Sequence, residues 1–270
     1  MTMKCVLRVL HIQEPATAET ESRAKFGNGI AVRHRGKAMI LITAHSALGA
    51  VEHWVLRDKT FYKGFGQAVY IDCDHDIAVL AVPGSEYFVG EKMCNAPPRL
   101  PVAPSARPAN NRTSSFLLQA QYFGKAHFPA QPDYAIGTKI KAVGHPDADN
   151  MDVPLRTFAQ NEIFGSISPI YSDPAFETKS LEWQNAASID FEPNTHFIFD
   201  NADPTGDPAA SNIASNIGRG SCGSGVFNMC GELLGMINCG GNLTNNRPFL
   251  AAVKFPHLLE ALDQAANLIK

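Results

Sequence analysis

The chain has 270 residues, of which 45% are hydrophobic and 18% charged, and its net charge is −3 at pH 7. These values are typical of a globular protein with one large domain or two small ones. The charges are scattered, without a basic tract, which argues against nucleic acid as a partner. Since no apolar run approaches the roughly 20 residues needed to cross a bilayer, we expect a cytoplasmic protein that does not enter a membrane.

The chain opens with a candidate strand, CVLRVLHI at residues 5–12. Arg8 and His11 interrupt its apolar run, so it lacks the continuous hydrophobic segment of a secretory signal. In a cytoplasmic protein the six cysteines are expected to be thiols rather than disulfides. No Cys-x-x-Cys pair occurs, and we expect neither a metal site nor a cofactor.

Short apolar stretches bounded by Gly, Pro, Asn and Asp continue along the chain, which is the pattern of an all-β protein. The strand candidates lie at residues 5–12, 29–34, 38–44, 53–57, 67–71, 77–82, 139–144, 163–170, 225–229, 232–239 and 249–255. This number of short strands suits barrels or a sandwich better than a parallel α/β sheet.

Two further segments do not have the pattern of a strand. The Pro-rich stretch at 95–111, NAPPRLPVAPSARPANN, predicts an extended linker between two halves. The last segment, FPHLLEALDQAANLIK, predicts a helix, because Pro256 suits a first turn and Leu258, Leu262 and Ile269 recur at helical spacing. We expect this helix to pack on the body of the protein.

Three segments carry residue types that base-activated acyl transfer requires. His45 follows two strand candidates in GNGIAVRHRGKAMILITAH, and Asp76 begins the apolar run of DHDIAVL. The Gly-rich segment GRGSCGSG supplies three candidate nucleophiles, which are Ser221, Cys222 and Ser224.

These segments resemble those of chymotrypsin-like proteases, in the order His, Asp, nucleophile. GNGIAV with LITAH resembles the family's Gly-x-Gly strand and Thr-Ala-Ala-His, and DHDIAVL resembles its Asp-Ile-Ala-Val-Leu. KIKAVGHP with TFAQNEIFGSISPI is similar to the start of the second barrel in HtrA-type members. The resemblance implies an all-β fold of two antiparallel six-stranded β-barrels with a C-terminal α-helix, and an endopeptidase that acts on a protein or peptide substrate.

The register of the last segment favours one nucleophile. The family pattern is Gly-x-Ser-Gly-Gly-Pro, followed by an Asn and two further glycines at set distances. When the family's serine is placed on Cys222, the later positions fall on Gly223, Asn228, Gly231 and Gly235. When the family's serine is placed on Ser221 or Ser224 instead, some of the family's glycines no longer fall on glycines of this chain. Cys222 is therefore the predicted nucleophile.

A cysteine at this position makes the chain similar to the viral 3C-like branch of the family, with its Gly-x-Cys-Gly motif. The stretch LLGMINCGGN followed by FLAAVKF also resembles the ending of those proteases. Their glutamine-reading histidine is absent, since Ile237 or Asn238 stands there, so glutamine specificity is not expected. For a viral protein, the compartment would be the host-cell cytoplasm.

The resemblance implies a role for each catalytic residue. Cys222 attacks the peptide carbonyl, and His45 removes the thiol proton and later protonates the leaving amine. Asp76 holds the imidazole in the correct tautomer. Asp74 and Asp72 compete for that role, but only Asp76 directly precedes the Ile-Ala pair, as the family's acid does.

The resemblance also implies residues that contact the substrate. The backbone N–H groups of Gly220 and Cys222 would form the oxyanion hole. Asn216 would lie at the floor of the first specificity pocket. An extended peptide would pair with the backbone of the strand that contains Cys239, Gly240 and Gly241.

We expect an N-terminal barrel at 1–98 and a C-terminal barrel at 133–253, joined by a linker or insertion at 99–132 and followed by a helix at 254–270. A second insertion is expected at 172–200. The alternative function is an inactive protease-fold scaffold that binds peptides or a partner protein. Retention of His45 and Asp76 argues against that alternative.

Overall fold

The computed structural model describes eight segments of the chain, which are residues 5–14, 23–57, 60–82, 126–145, 160–168, 192–200, 221–242 and 248–269. Thirteen strands and two helices lie within them. The strands are β1 (Val6–Glu14), β2 (Arg23–His34), β3 (Lys37–Thr43), β4 (Glu52–Arg57), β5 (Thr60–Phe65), β6 (Tyr70–Asp72), β7 (Ile77–Ala81), β8 (Lys139–Gly144), β9 (Asn161–Ile167), β10 (His196–Asp200), β11 (Gly225–Asn228), β12 (Leu233–Asn242) and β13 (Pro248–Lys254). The helices are α1 (Ala44–Ala47) and α2 (Phe255–Leu268).

The first seven strands form one antiparallel sheet in the order β5-β4-β1-β2-β3-β7-β6. Its central hairpin has a two-residue loop, since His34 of β2 pairs with Lys37 of β3. The loop residues Arg35 and Gly36 both have positive φ, at 48° and 77°. A two-residue loop of this kind matches the right-handed twist of the strands and therefore keeps them in register.

The other six strands close into a barrel in the order β10-β13-β12-β11-β8-β9. Helix α2 follows the last barrel strand directly, with Pro256 in its first turn. The helix buries Leu258, Ala261, Leu262 and Ala265. It therefore covers the body with one apolar face, as the sequence predicts.

A single apolar cluster joins the sheet, the barrel and the helix. It contains Ile30 and Val79 from the sheet, Phe227 and Val253 from the barrel and Leu262 from α2, all of which are fully buried. Burial of a large aliphatic or aromatic side chain contributes roughly 2 kcal/mol. The two halves are thus held against each other by apolar packing.

The predicted all-β class, the C-terminal barrel and the helix are confirmed, and two details are corrected. The N-terminal unit is a seven-stranded sheet in the described residues, not a six-stranded barrel. The region 172–200 is not merely an insertion, because its last residues form β10, whose Phe197 and Phe199 are buried in the barrel. Five residues are too few to show a clear strand period. The predicted linker at 95–111 lies outside the described residues.

None of the helices in the described segments is long and apolar enough to cross a membrane.

Three histidines are buried in the core and held neutral. Nδ1 of His11 on β1 lies 2.9 Å from Nδ1 of His53 on β4, so one ring donates and the other accepts. Burial lowers the pKa of His53 to about 4, and burial together with the neighbouring His53 lowers that of His11 well below its usual range. Burial also lowers the pKa of His196 on β10 to about 3.

The three buried histidines predict that the folded protein is less stable at low pH. Since each pKa is depressed in the folded state, the unfolded chain binds more protons below its ordinary histidine pKa of about 6.5. The contribution of these three groups to the free energy of unfolding should be constant above that pH and fall towards pH 4, by on the order of 3 kcal/mol each for His53 and His196. Urea titrations at half-unit pH steps measure this slope. A His11→Leu, His53→Leu double variant should give a shallower slope, and an equally steep one would rule this pair out as a source.

Candidate active site

The predicted histidine and aspartate meet because two neighbouring strands are in register. Thr43, the last residue of β3, pairs with Ile77, the first residue of β7. The backbone N–H of Ala44 donates to the Asp76 carbonyl at 3.2 Å, and that of His45 donates to Oδ1 of Asp76 at 2.8 Å. Nδ1 of the His45 ring lies 2.7 Å from Oδ2 of the same carboxylate. Both carboxylate oxygens of Asp76 are therefore bonded to His45.

Asp76 has a backbone conformation that is rare outside glycine. Its φ is 55°, and the residue is only 2% exposed. Asp is among the few side chains that enter the left-handed region, at a cost of about 1–2 kcal/mol. In this conformation the carboxylate of Asp76 bonds both the backbone N–H and the ring of His45.

The ring of His45 lies between Asp76 and Cys222. Burial by itself would lower the pKa of His45, but hydrogen bonds with Asp76 and with the Cys222 side chain, together with their negative charges, raise it to about 10. Because Nδ1 is bonded to Asp76, Nε2 is the nitrogen left for the sulfur. The His45 side chain is 43% exposed, so a bound molecule can reach it. The arrangement stabilises an imidazolium beside a cysteine.

The loop that carries Cys222 is held by backbone bonds from both halves of the molecule. Asn28 of β2 donates its N–H to the Cys222 carbonyl at 2.8 Å. On the other side, Gly223 donates to the Ile237 carbonyl at 2.7 Å, and Ile237 donates to the Ser224 carbonyl at 2.8 Å. The nucleophile candidate therefore sits in a fixed turn between the sheet and the barrel.

Gly223 is required by this turn. Its φ is 86°, and a Cβ atom built there would lie 1.9 Å from the backbone oxygen of Asn28. Only glycine allows the sheet and the loop to approach so closely.

The two serines beside Cys222 are less accessible. Ser224 is fully buried, and its Oγ packs against Gly144 without a hydrogen-bond partner among the described residues. Ser221 is 7% exposed, whereas Cys222 is partly exposed. Burial therefore agrees with the register in favouring Cys222.

The rival acids take no part in this arrangement. Oδ1 of Asp72 accepts the backbone N–H groups of Asp74 and His75, and its Oδ2 lies 2.7 Å from Nδ1 of His75. Asp72 thus closes a turn, and Asp74 is exposed within it.

The predicted peptide-binding strand has one edge without a partner strand among the described residues. Cys239, Gly240 and Gly241 of β12 pair with β13 on one side. On the other side, β11 pairs only with the earlier part of β12, at Leu233–Met236. The side chain of Cys239 is buried, so its contribution to such an edge comes from the backbone.

Two predicted site residues, Gly220 and Asn216, lie outside the described residues. In the segments that are described, no group of three or more His, Cys, Asp or Glu side chains could hold a metal ion.

Sequence reasoning gave no role beside the candidate nucleophile to three residues, although it named one of them, Asn238, at the position of the family's glutamine-reading histidine. Asn28 binds the Cys222 carbonyl through its N–H and accepts the His145 N–H through its side chain at 2.9 Å. Asn238 accepts a hydrogen bond from Sγ of Cys222 at its backbone oxygen, and its side chain contacts His196. The only sequence signal was an Asn between glycines at 28, while His196 had no local signal.

Comparison with known proteins supports the fold. No protein-family model and no curated protein sequence matches the chain. Among solved structures, the chain is similar to the active form of the Rv3671c protease of M. tuberculosis, with 14% identity, a TM-score of 0.52 and coverage of 97% of this chain and 81% of that one. It is also similar to the HtrA-type protease AlgW with tripeptide, with 14% identity, a TM-score of 0.55 and coverage of 97% of this chain and 60% of that one. A third similar structure is the serine endoprotease from Yersinia pestis, with 13% identity, a TM-score of 0.53 and coverage of 98% of this chain and 63% of that one.

These similarities define the class of fold, which is chymotrypsin-like, as in trypsin-type proteases. At 13–14% identity they carry the fold alone. The Yersinia protein is a serine protease, so the predicted resemblance to the cysteine branch rests on Cys222 and its surroundings and not on these neighbours.

Proposed function

We propose that the protein is a cysteine endopeptidase with a Cys222–His45–Asp76 triad. The observation that supports this most strongly is the His45 ring, which bonds Asp76 through Nδ1 at 2.7 Å and whose pKa, despite burial, is raised to about 10 by its interactions with Asp76 and the Cys222 side chain. An imidazole in this position takes the thiol proton and stabilises the thiolate by its charge. Cysteine proteolysis needs no metal or cofactor for this step.

The reaction follows from these positions. The Cys222 thiolate attacks the peptide carbonyl carbon, and the carbonyl oxygen becomes an oxyanion. The backbone N–H of Cys222, with that of Gly220, would stabilise this charge. His45 then gives its proton to the departing amine, which leaves a thioester on Cys222. Water deprotonated by His45 hydrolyses the thioester and restores the thiol.

The substrate would bind as an extended strand. The open edge of β12 at Cys239, Gly240 and Gly241 offers backbone donors and acceptors beside Cys222. Asn216 would line the specificity pocket. A protein or peptide therefore fits this edge, and nucleic acid and membranes are not expected as partners.

A labelling experiment tests the proposal. Cys73 and Cys230 are free and more exposed than Cys222, so exposure alone predicts that they react first. We expect iodoacetamide at pH 7 to modify Cys222 at least about tenfold faster than either, because an adjacent imidazolium favours the thiolate. The readout is mass spectrometry of the three peptides, with His45→Gln as the control that removes the selectivity. If Cys73 and Cys230 react faster than Cys222 in the wild type, the non-catalytic scaffold becomes the better interpretation.

A further inference from the structure

We propose that Asn238, held in place by His196, is a positioning residue that aims its backbone carbonyl at the thiol of Cys222 and so tunes when the thiol loses its proton. This inference rests on the proposed function in one respect, that Cys222 is the nucleophile.

The backbone carbonyl of Asn238 points to the side of the strand opposite to the one expected in a regular strand. Ile237 directs both its N–H and its C=O towards the Cys222 loop, to Ser224 and Gly223. In an antiparallel strand the next residue directs its groups to the opposite side. Yet the Asn238 carbonyl accepts from Sγ of Cys222 at 3.3 Å, on the same side as Ile237.

A β-bulge accounts for this direction. Ile237 pairs with Ala252 and Cys239 with Ala251, so Asn238 is an extra residue between two consecutive positions of β13. Bulges redirect backbone and side-chain groups and are frequent beside active sites. The geometry of the Cys222 contact therefore depends on what holds Asn238 in the bulge.

The side chain of Asn238 is held by His196. Its Nδ2 lies 3.0 Å from Nε2 of His196, and both residues are 1% exposed. Nδ1 of His196 lies 2.7 Å from Oγ1 of Thr195, whose hydroxyl donates to the Glu192 carbonyl at 3.1 Å. Since the hydroxyl has one hydrogen, it must accept from Nδ1–H. Nε2 is then the acceptor, and the Asn238 amide is its donor.

This bond is maintained over a wide pH range. Burial, followed by the charges of His75, His257 and Lys254, lowers the pKa of His196 to about 3. The ring therefore stays neutral and keeps its acceptor. Oδ1 of Asn238 is buried without a hydrogen-bond partner among the described residues. A buried acceptor without a partner destabilises the fold, so an apolar residue would be more stable in a purely structural position.

The Asn238 carbonyl favours the protonated form of the Cys222 side chain over the thiolate. A carbonyl oxygen accepts a hydrogen bond from the thiol but repels the thiolate, since both carry negative charge. The Asn238 carbonyl and the His45 imidazolium therefore act on Cys222 in opposite senses. Moving the carbonyl away should let the thiol ionise at lower pH.

The test is the pH profile of iodoacetamide alkylation at Cys222 between pH 6 and 10, with Cys73 and Cys230 as internal references. Asn238→Ala and His196→Leu should each move the midpoint at Cys222 to lower pH by about half a unit to one unit. His196→Gln, whose amide oxygen can accept from Asn238, should restore the wild-type midpoint. Near-UV circular dichroism verifies folding, and the two His196 variants decide the question if Asn238→Ala does not fold.

Two results would overturn the inference. One is a folded Asn238→Ala protein with the wild-type profile, and the other is a His196→Gln midpoint that moves as far as that of His196→Leu. Peptide cleavage separates this failure from that of the proposed function. If the profiles move as expected but the wild type cleaves no peptide, the peptidase assignment is wrong and the positioning of the thiol stands; cleavage that persists in Cys222→Ala means instead that another residue is the nucleophile.

Discussion

Cys222→Ala is expected to abolish peptide cleavage, with kcat/KM falling by at least about 10⁴-fold. The substitution removes the thiol that interacts with His45, and no thioester can then form. Neither neighbouring serine can substitute, because Ser224 is fully buried and Ser221 is nearly so. The measurement is cleavage of a peptide library by wild type and variant, which also reports the residue preferred before the cut.

Two further variants serve as controls for this result. Cys230→Ala removes an exposed free thiol outside the candidate site and should leave cleavage unchanged. Cys222→Ser should retain a small fraction of the activity, because a hydroxyl needs a stronger base than a thiol. Full activity in the Cys222→Ala protein would mean that another residue is the nucleophile.

Gly223→Ala is expected to have the largest effect on structure. The methyl group would lie 1.9 Å from the backbone oxygen of Asn28, which is far inside van der Waals contact. The carbonyl cannot rotate away cheaply, since Asn28 also donates its N–H to the Cys222 carbonyl at 2.8 Å. We therefore expect a loss of about 3 kcal/mol or more in the free energy of unfolding, or displacement of the Cys222 loop.

Gly137 supplies a matched control for this prediction. Its φ of 87° is almost that of Gly223, but no atom lies within 4 Å of a Cβ built there. Gly137→Ala thus measures the conformational cost alone, about 1–2 kcal/mol. Urea denaturation gives the free energy of unfolding of each variant, and the rate of alkylation of Cys222 shows whether its loop is displaced. Equal destabilisation by the two substitutions, with the Cys222 rate unchanged in both, would show that the loop tolerates the methyl group.

Prediction from the sequence succeeded where the signal is local. The apolar runs of β3 and β8 and the helical spacing in α2 predict which side chains are buried. The reason is that side chains on one face recur about every 3.6 residues in a helix and every second residue in a strand. It failed at β5 and β10, where mixed aromatic and polar residues or a short span conceal the period. The first sheet also has seven strands in the described residues instead of six, since strand number depends on pairing between distant segments.

For the candidate site, the sequence alone determined the order of His45, Asp76 and Cys222 and the register that separates Cys222 from its neighbouring serines. These inferences need only residue types and spacing along the chain. Only the tertiary structure decided which groups surround the sulfur. The pairing of β3 with β7 joins Asp76 to His45, and the bulge at Asn238 turns a carbonyl towards the thiol. His196 reaches Asn238 from 42 residues away, and such a contact depends on how strands pack and leaves no periodic trace in the sequence.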